Sequence, residues 1–195
     1  MKLGVLALQG DVPEHLRVLR SLGPDPVAVR TPAELAGIGA LFLPGGESTT
    51  IARLIEEAGL WNPLAERIQE GLPILATCAG LILLARELAP GPSGRDPPTF
   101  RALDATVRRN DYGTQRESCE TPVRVEGLRD PPFPGVFIRS PRILAVGAQA
   151  TPIAWRGEEV VGVRAGGLWG LAFHPELSGD LRVHRRFLAS VARRG

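Results

Sequence analysis

The chain has 195 residues, enough for one domain with a substantial core, and it is 44% hydrophobic and 23% charged with a formal net charge of +2. That balance excludes a disordered or collagen-like chain, and the longest apolar runs, such as Leu81-Ile82-Leu83-Leu84-Ala85, are too short to span a bilayer. The arginines are scattered and Lys2 is the only lysine, so no basic face forms a footprint for nucleic acid.

The N-terminus enters an apolar run directly, without the basic and cleavable segments of a signal peptide, so a cytosolic address is expected. Its two cysteines, Cys78 and Cys119, are expected as free thiols in a reducing compartment. Leu3 to Leu8 reads as a buried first strand. Asp11 is placed to cap a helix with Pro13 in its first turn, and Leu16, Leu19 and Leu22 mark one face of that helix. Val27 to Val29 reads as a second strand. Thr31-Pro32-Ala33-Glu34 is a capping box opening a short helix, and Ala40 to Leu43 reads as a third strand.

Pro44-Gly45-Gly46-Glu47-Ser48-Thr49 turns from that strand into a helix over Thr50 to Ala58, which Gly59 stops. Asn62-Pro63 starts another helix that Gly71 ends. Pro73 to Thr77 is a strand that delivers Cys78, and Ala79 to Leu88 is the helix leaving it. The alternation predicts an α/β fold with a flavodoxin-like, mostly parallel central sheet and helices on both faces, all in a single domain over residues 1–195. Residues 89–98, rich in proline and glycine, read as a surface loop of no assigned role.

Beyond this loop the pattern becomes short β segments, which adds an antiparallel portion in the second half. These are Ala105 to Arg108, Pro122 to Val125, Val136 to Arg139, Leu144 to Ala148, Ile153 to Trp155, Val160 to Arg164 and Leu168 to Phe173. Trp155 to Val160 spans a hairpin, and a final helix runs from about Leu181 to Arg193.

Cys78, at a strand-to-helix turn, is either a nucleophile lifted clear of the sheet or a small buried thiol. His174-Pro175-Glu176 offers a base and an orienting carboxylate at i, i+2, in a backbone that the proline biases toward extension; alone, it is equally a solvated turn. His15 and His184 lie in polar and arginine-rich helical stretches and read as bland, and Cys119 has no adjacent histidine. The Gly45-Gly46 turn lacks the ending of a Walker A loop. Its backbone could instead stabilise an oxyanion together with the Ala79 amide that follows the nucleophile.

The order and spacing of Pro44-Gly45-Gly46-Glu47-Ser48, Thr77-Cys78-Ala79-Gly80 and His174-Pro175-Glu176 resemble class I, triad-type glutamine amidotransferases. Gly4 to Gly10, Gly45 to Thr50, Arg109-Asn110-Asp111-Tyr112-Gly113, Gly135 to Arg139 and Phe173 to Leu177 narrow the resemblance to glutaminase subunits of pyridoxal 5′-phosphate synthase. The resemblance implies a triad of Cys78, His174 and Glu176 and an oxyanion hole at Gly46 and Ala79. It also implies glutamine contacts at Gly46, Glu47, Ser48, Arg109, Ile138 and Arg139. The implied activity is hydrolysis of L-glutamine through a thioester on Cys78, with ammonia passed to a synthase subunit in a hetero-oligomeric complex. No metal, cofactor, nucleic acid or membrane is expected.

Two other readings compete. One is a glutaminase serving another acceptor, such as imidazole glycerol phosphate or a purine precursor, and the other is an idle partner-binding module. Where the family usually has glycine two residues before the nucleophile this chain has Ala76, so a slightly strained elbow is expected.

Overall fold

A computed structural model describes residues 1–23, 25–91, 96–109 and 119–193. Residues 110–113 of the Arg109 motif and residues 92–95 of the Pro/Gly-rich loop lie outside this set.

The first half lays down β1 (Leu3–Leu6), α1 (Val12–Ser21), β2 (Val27–Val29), α2 (Pro32–Ala36), β3 (Ala40–Leu43), α3 (Ser48–Glu57), α4 (Trp61–Gln69), β4 (Ile74–Thr77) and α5 (Ala79–Leu84). The second half adds β5 (Ala85–Ala89), β6 (Leu103–Arg108), β7 (Cys119–Val125), β8 (Phe133–Phe137), β9 (Arg142–Val146), β10 (Thr151–Arg156), β11 (Glu159–Ala165) and β12 (Leu168–Leu171). A 3-10 turn (Pro175–Leu177) and α6 (Arg182–Ala192) complete it. Among the described residues no helix is long and apolar enough to cross a membrane.

Nine strands form one sheet in the order β2-β1-β3-β4-β12-β11-β10-β7-β8. The pairs from β2 to β12 are parallel, and those from β12 to β8 are antiparallel. The parallel part therefore has the flavodoxin-like order, reversing direction between β1 and β3. Right-handed crossovers in opposite directions put α1 and α3 on opposite faces. The strands β1, β3, β4 and β12 are buried along their whole length, which explains why they read as continuous apolar runs instead of alternating ones.

A second sheet, β5-β6-β9, corrects one expectation. The helix after Cys78 stops at Leu84, not Leu88, and Ala85 to Ala89 pairs in parallel with β6. All six residues of α5 are buried, so its apolar run reflects enclosure on all sides and carries no helical period to mark its end. The hairpin is as expected, with Arg156 opposite Glu159 and Gly157 at φ 60° in its two-residue turn. The first helix differs in its inward face, which is His15, Val18 and Leu19 in place of the leucine stripe alone. His184 is likewise buried in α6 beside Val183 and Phe187.

Candidate active site

Four loops at the carboxyl ends of adjacent parallel strands converge where the strand order reverses, the position at which open α/β sheets bind ligands. They follow β1 (Gln9 to Asp11), β3 (Gly45 to Ser48), β4 (Cys78) and β12 (Phe173 to Glu176). Two hydrogen bonds tie the first pair together, from the Asp11 N–H to the Gly45 carbonyl (3.1 Å) and from the Glu47 N–H to Gln9 Oε1 (2.9 Å).

Cys78 occupies the sharp turn between β4 and α5 at φ 48° and ψ −102°, a left-handed backbone that a non-glycine residue adopts at a cost of roughly 1 to 3 kcal/mol. The turn is held by its N–H, which donates to the Leu171 carbonyl at 2.8 Å. The strain lies at Cys78 itself. Ala76 sits in regular strand between Leu43 and Gly170 and is fully buried.

His174 and Glu176 meet as the i, i+2 spacing predicted, but through a 3-10 turn begun by Pro175 instead of an extended segment. His174 Nδ1 lies 2.9 Å from Glu176 Oε1 and 3.0 Å from Asp11 Oδ2. Carboxylates only accept, so Nδ1 carries a proton and Nε2 is the nitrogen turned away from them. Asp11 was expected to cap α1, yet its side chain makes no cap hydrogen bond and turns to the histidine. Asp11, His174 and Glu176 are the sole group among the described residues whose donor atoms cluster as metal ligands do, within 4.8 Å, and a shared Nδ1 proton accounts for that cluster.

Burial alone would lower the proton affinity of His174, but the Asp11 hydrogen bond, the Cys78 thiol and Glu176 together raise it well above the usual value. Burial would likewise raise Glu176. The neighbouring His15 and the hydrogen bond from His174 reverse this and hold its carboxyl at about 2. The Glu176 carboxylate is thus ionised at neutral pH although only 4% exposed.

A cavity of about 440 Å³ gathers Gly46, Glu47, Ser48, Cys78, Arg109, Ile138, Arg139 and His174, eight of the ten residues singled out from the sequence. The other two sit behind its wall. Ala79 begins α5, and Glu176 backs His174. Gln9, Gly10, Asp11 and Ile82, none of which the sequence reading placed in the site, complete the lining. Gly46 has φ 151°, and Gly45 lies so close over the histidine ring that a Cβ would stand 2.4 Å from His174 Cε1.

Glu47 is the N-cap of α3, accepting from the Thr49 and Thr50 N–H groups. Burial opposes its ionisation, but the hydroxyls of Thr49 and Thr50 and these amides hold its carboxyl at about 2. Arg109 reaches Glu47 Oε1 at 3.5 Å and Asp96 Oδ1 at 3.4 Å. The His174 N–H donates to the Val136 carbonyl at 2.8 Å, docking the end of β8 so that Ile138 and Arg139 face the cavity. Arg139 also has a left-handed backbone, φ 44°. Cys119 lies apart, exposed at the start of β7, and both cysteines are free thiols.

The chain belongs to the SNO glutamine amidotransferase family, whose model matches residues 5–193. Among curated relatives, the pyridoxal 5′-phosphate synthase subunit PdxT of Pelotomaculum thermopropionicum is 48% identical over 195 residues, covering 100% of this chain and 97% of the relative. The protein of the same name from Thermococcus onnurineus is 47% identical over 195 residues, covering 96% and 98%. A crystal structure of a glutamine amidotransferase superposes with a TM-score of 0.90 at 42% identity, covering 98% of this chain and all of that one. A glutamine amidotransferase from Thermotoga maritima, at TM-score 0.58 and 19% identity over 100% and 98% of the two chains, shares the fold.

Proposed function

We propose that this chain is the glutaminase subunit of a pyridoxal 5′-phosphate synthase, releasing ammonia from L-glutamine for a synthase subunit with which it forms a hetero-oligomer in the cytoplasm. The observation that carries the reading is the assembly of Cys78, His174 and Glu176 at the sheet's switch point, in a chain full-length similar to proteins of that name.

In this reading His174 Nε2 takes the thiol proton before the attack, which its raised proton affinity favours, and Cys78 Sγ attacks the γ-carbonyl carbon of glutamine as the thiolate of that ion pair. The amides of Gly46 and Ala79 receive the oxyanion, one such donor lowering the barrier by about 3 to 4 kcal/mol. His174 returns the proton to the leaving nitrogen as the C–N bond breaks, and ammonia departs from a γ-glutamyl thioester. Water then attacks the thioester, giving up a proton to His174, and glutamate leaves as the thiol is restored. Glu176 keeps the histidine in the working tautomer throughout. Ionised Glu47 suits the α-ammonium of glutamine, and Arg109 and Arg139 suit its α-carboxylate, with Ser48 and Ile138 shaping the pocket.

Glutamine hydrolysis measured with and without the pyridoxal phosphate synthase subunit tests this. Hydrolysis raised by that subunit, and not by synthases for imidazole glycerol phosphate or purine precursors, is the expected result. Cys78→Ala should reduce hydrolysis to background while leaving complex formation on gel filtration intact, because the change removes only a sulfur at a small site. An active Cys78→Ala complex would defeat the mechanism.

A further inference from the structure

His15 is fully buried in α1, yet its polar neighbours belong to the triad. Its Nε2 lies 3.3 Å from Thr77 Oγ1 and 3.6 Å from Glu176 Oε1, and Thr77 Oγ1 is itself 3.3 Å from that same Oε1. An ionised carboxylate can only accept, so Thr77 gives Glu176 its single hydroxyl proton. The Thr77 oxygen is then left to accept, and the group facing it is His15 Nε2. His15 is therefore the Nε2–H tautomer. Its Nδ1 has no hydrogen-bond partner among the described residues, which a lone pair tolerates better than a buried N–H would.

The surroundings keep this imidazole neutral. Phe42 and His184 stand 6.0 Å from its ring. The titratable groups facing it are Asp11 and Glu14 from its own helix, His174 and Glu176 from the segment after β12, and His184 from α6. Of the carboxylates, Asp11 is turned to His174, and burial outweighs the remainder, pushing His15 below its usual value.

The side-chain contacts of the Glu176 carboxylate converge on one oxygen. His174, Thr77 and His15 meet at Oε1, whereas Oε2 has no hydrogen-bond partner among the described residues. Without the arm from α1 and β4, the carboxylate would keep only Nδ1 of His174 and its own main-chain N–H, both within the segment after β12, and nothing would tie it to the rest of the fold. We propose that His15, acting through Thr77, is a positioning residue: a neutral Nε2–H donor that fixes the Glu176 carboxylate and thereby aims His174 Nε2 at Cys78. This rests on the reading of Cys78, His174 and Glu176 as the catalytic machinery. His15 does not line the cavity, so it has no part in holding glutamine.

The test compares wild type, His15→Gln, His15→Leu, Thr77→Ser and Thr77→Val in complex with the synthase subunit. Glutamine can place an amide N–H where Nε2 stands, and leucine cannot. His15→Leu and Thr77→Val should lower kcat about 10- to 100-fold with KM within about twofold, the scale expected of a misaimed catalytic group, and His15→Gln and Thr77→Ser should recover most of it. A second readout needs no glutamine: the pH profile of Cys78 alkylation by iodoacetamide should change in His15→Leu and return in His15→Gln.

A third needs no variant, since ¹⁵N NMR of the intact chain should show the His15 ring neutral at pH 7 with its proton on Nε2. A proton on Nδ1, wild-type kcat and alkylation in His15→Leu, or equal damage in His15→Gln and His15→Leu overturns the proposal. A wild-type complex that fails to hydrolyse glutamine overturns the glutaminase reading alone, and the alkylation profiles and the NMR tautomer then decide the role of His15.

Discussion

Asp11 is where a local rule gives way to a distant partner. An aspartate before a Pro-containing first turn reads as a helix cap, but its carboxylate instead raises the proton affinity of His174. Asp11→Ala should therefore lower that affinity, and the alkaline limb of kcat/KM, where the imidazolium is lost, should move to lower pH. One pH unit corresponds to about 1.4 kcal/mol. A limb that stays in place in the pH–rate profile would show that Cys78 and Glu176 set the value without Asp11. Cys78, His174 and Glu176 were legible because a thiol and an imidazole–carboxylate pair stand out at the ends of apolar strands. His15 was not, because a histidine among Glu14 and Arg17 looks solvated, and its spacing to Leu19 on the buried face was the one available signal.

Among the elements, two of the helices that begin at the cavity, α3 and α5, are fixed in different ways. The helix α3 depends on Glu47, whose carboxylate accepts from two main-chain amides and two hydroxyls. Glu47→Ala should cost about 1 kcal/mol of stability as a lost N-cap, seen as a lower thermal midpoint, in addition to raising KM for glutamine. The helix α5 is seated by close approach, since a Cβ on Gly80 would stand 2.4 Å from the Leu43 carbonyl oxygen. Gly80→Ala should destabilise by about 1 to 3 kcal/mol and displace Cys78, so that thermal midpoint and kcat fall together. The boundary missed between α5 and β5 lies where burial is complete, whereas β8 and β9, expected at Val136 to Arg139 and Leu144 to Ala148, begin earlier, at Phe133 and Arg142. Between Leu81 and Ala85 no polar residue interrupts the run, and only pairing with β6 shows where helix becomes strand.

Over the whole molecule, three buried titratable groups make stability fall in acid. His15 and His184 hold their protons less tightly folded than unfolded, His184 at about 3 through burial, so the unfolded chain takes up protons first as the pH drops below 6.5. Each then removes up to about 1.4 kcal/mol per pH unit. Glu176, depressed to about 2, adds its own loss below 4.5. Neither ring nitrogen of His184 has a hydrogen-bond partner among the described residues, and the ring stacks on Phe42 at 16°. His184→Phe should keep the stack and remove one proton from the slope, which urea midpoints at pH 7, 6 and 5 would reveal. An unchanged slope would mean that His184 takes up its proton as readily folded as unfolded.

The strands β4 and β12 are neighbours in the sheet, yet everything from α5 to β11 is threaded between them in the chain. Closing so long a loop is among the slower events available to a folding chain. Thiol and imidazole therefore meet only once the second half has found its place, and reactivity at Cys78 becomes a clock for the last stage of folding. A nascent chain released before Phe173 carries Cys78 without His174, so the pairing of sulfur and imidazole belongs to the finished fold alone.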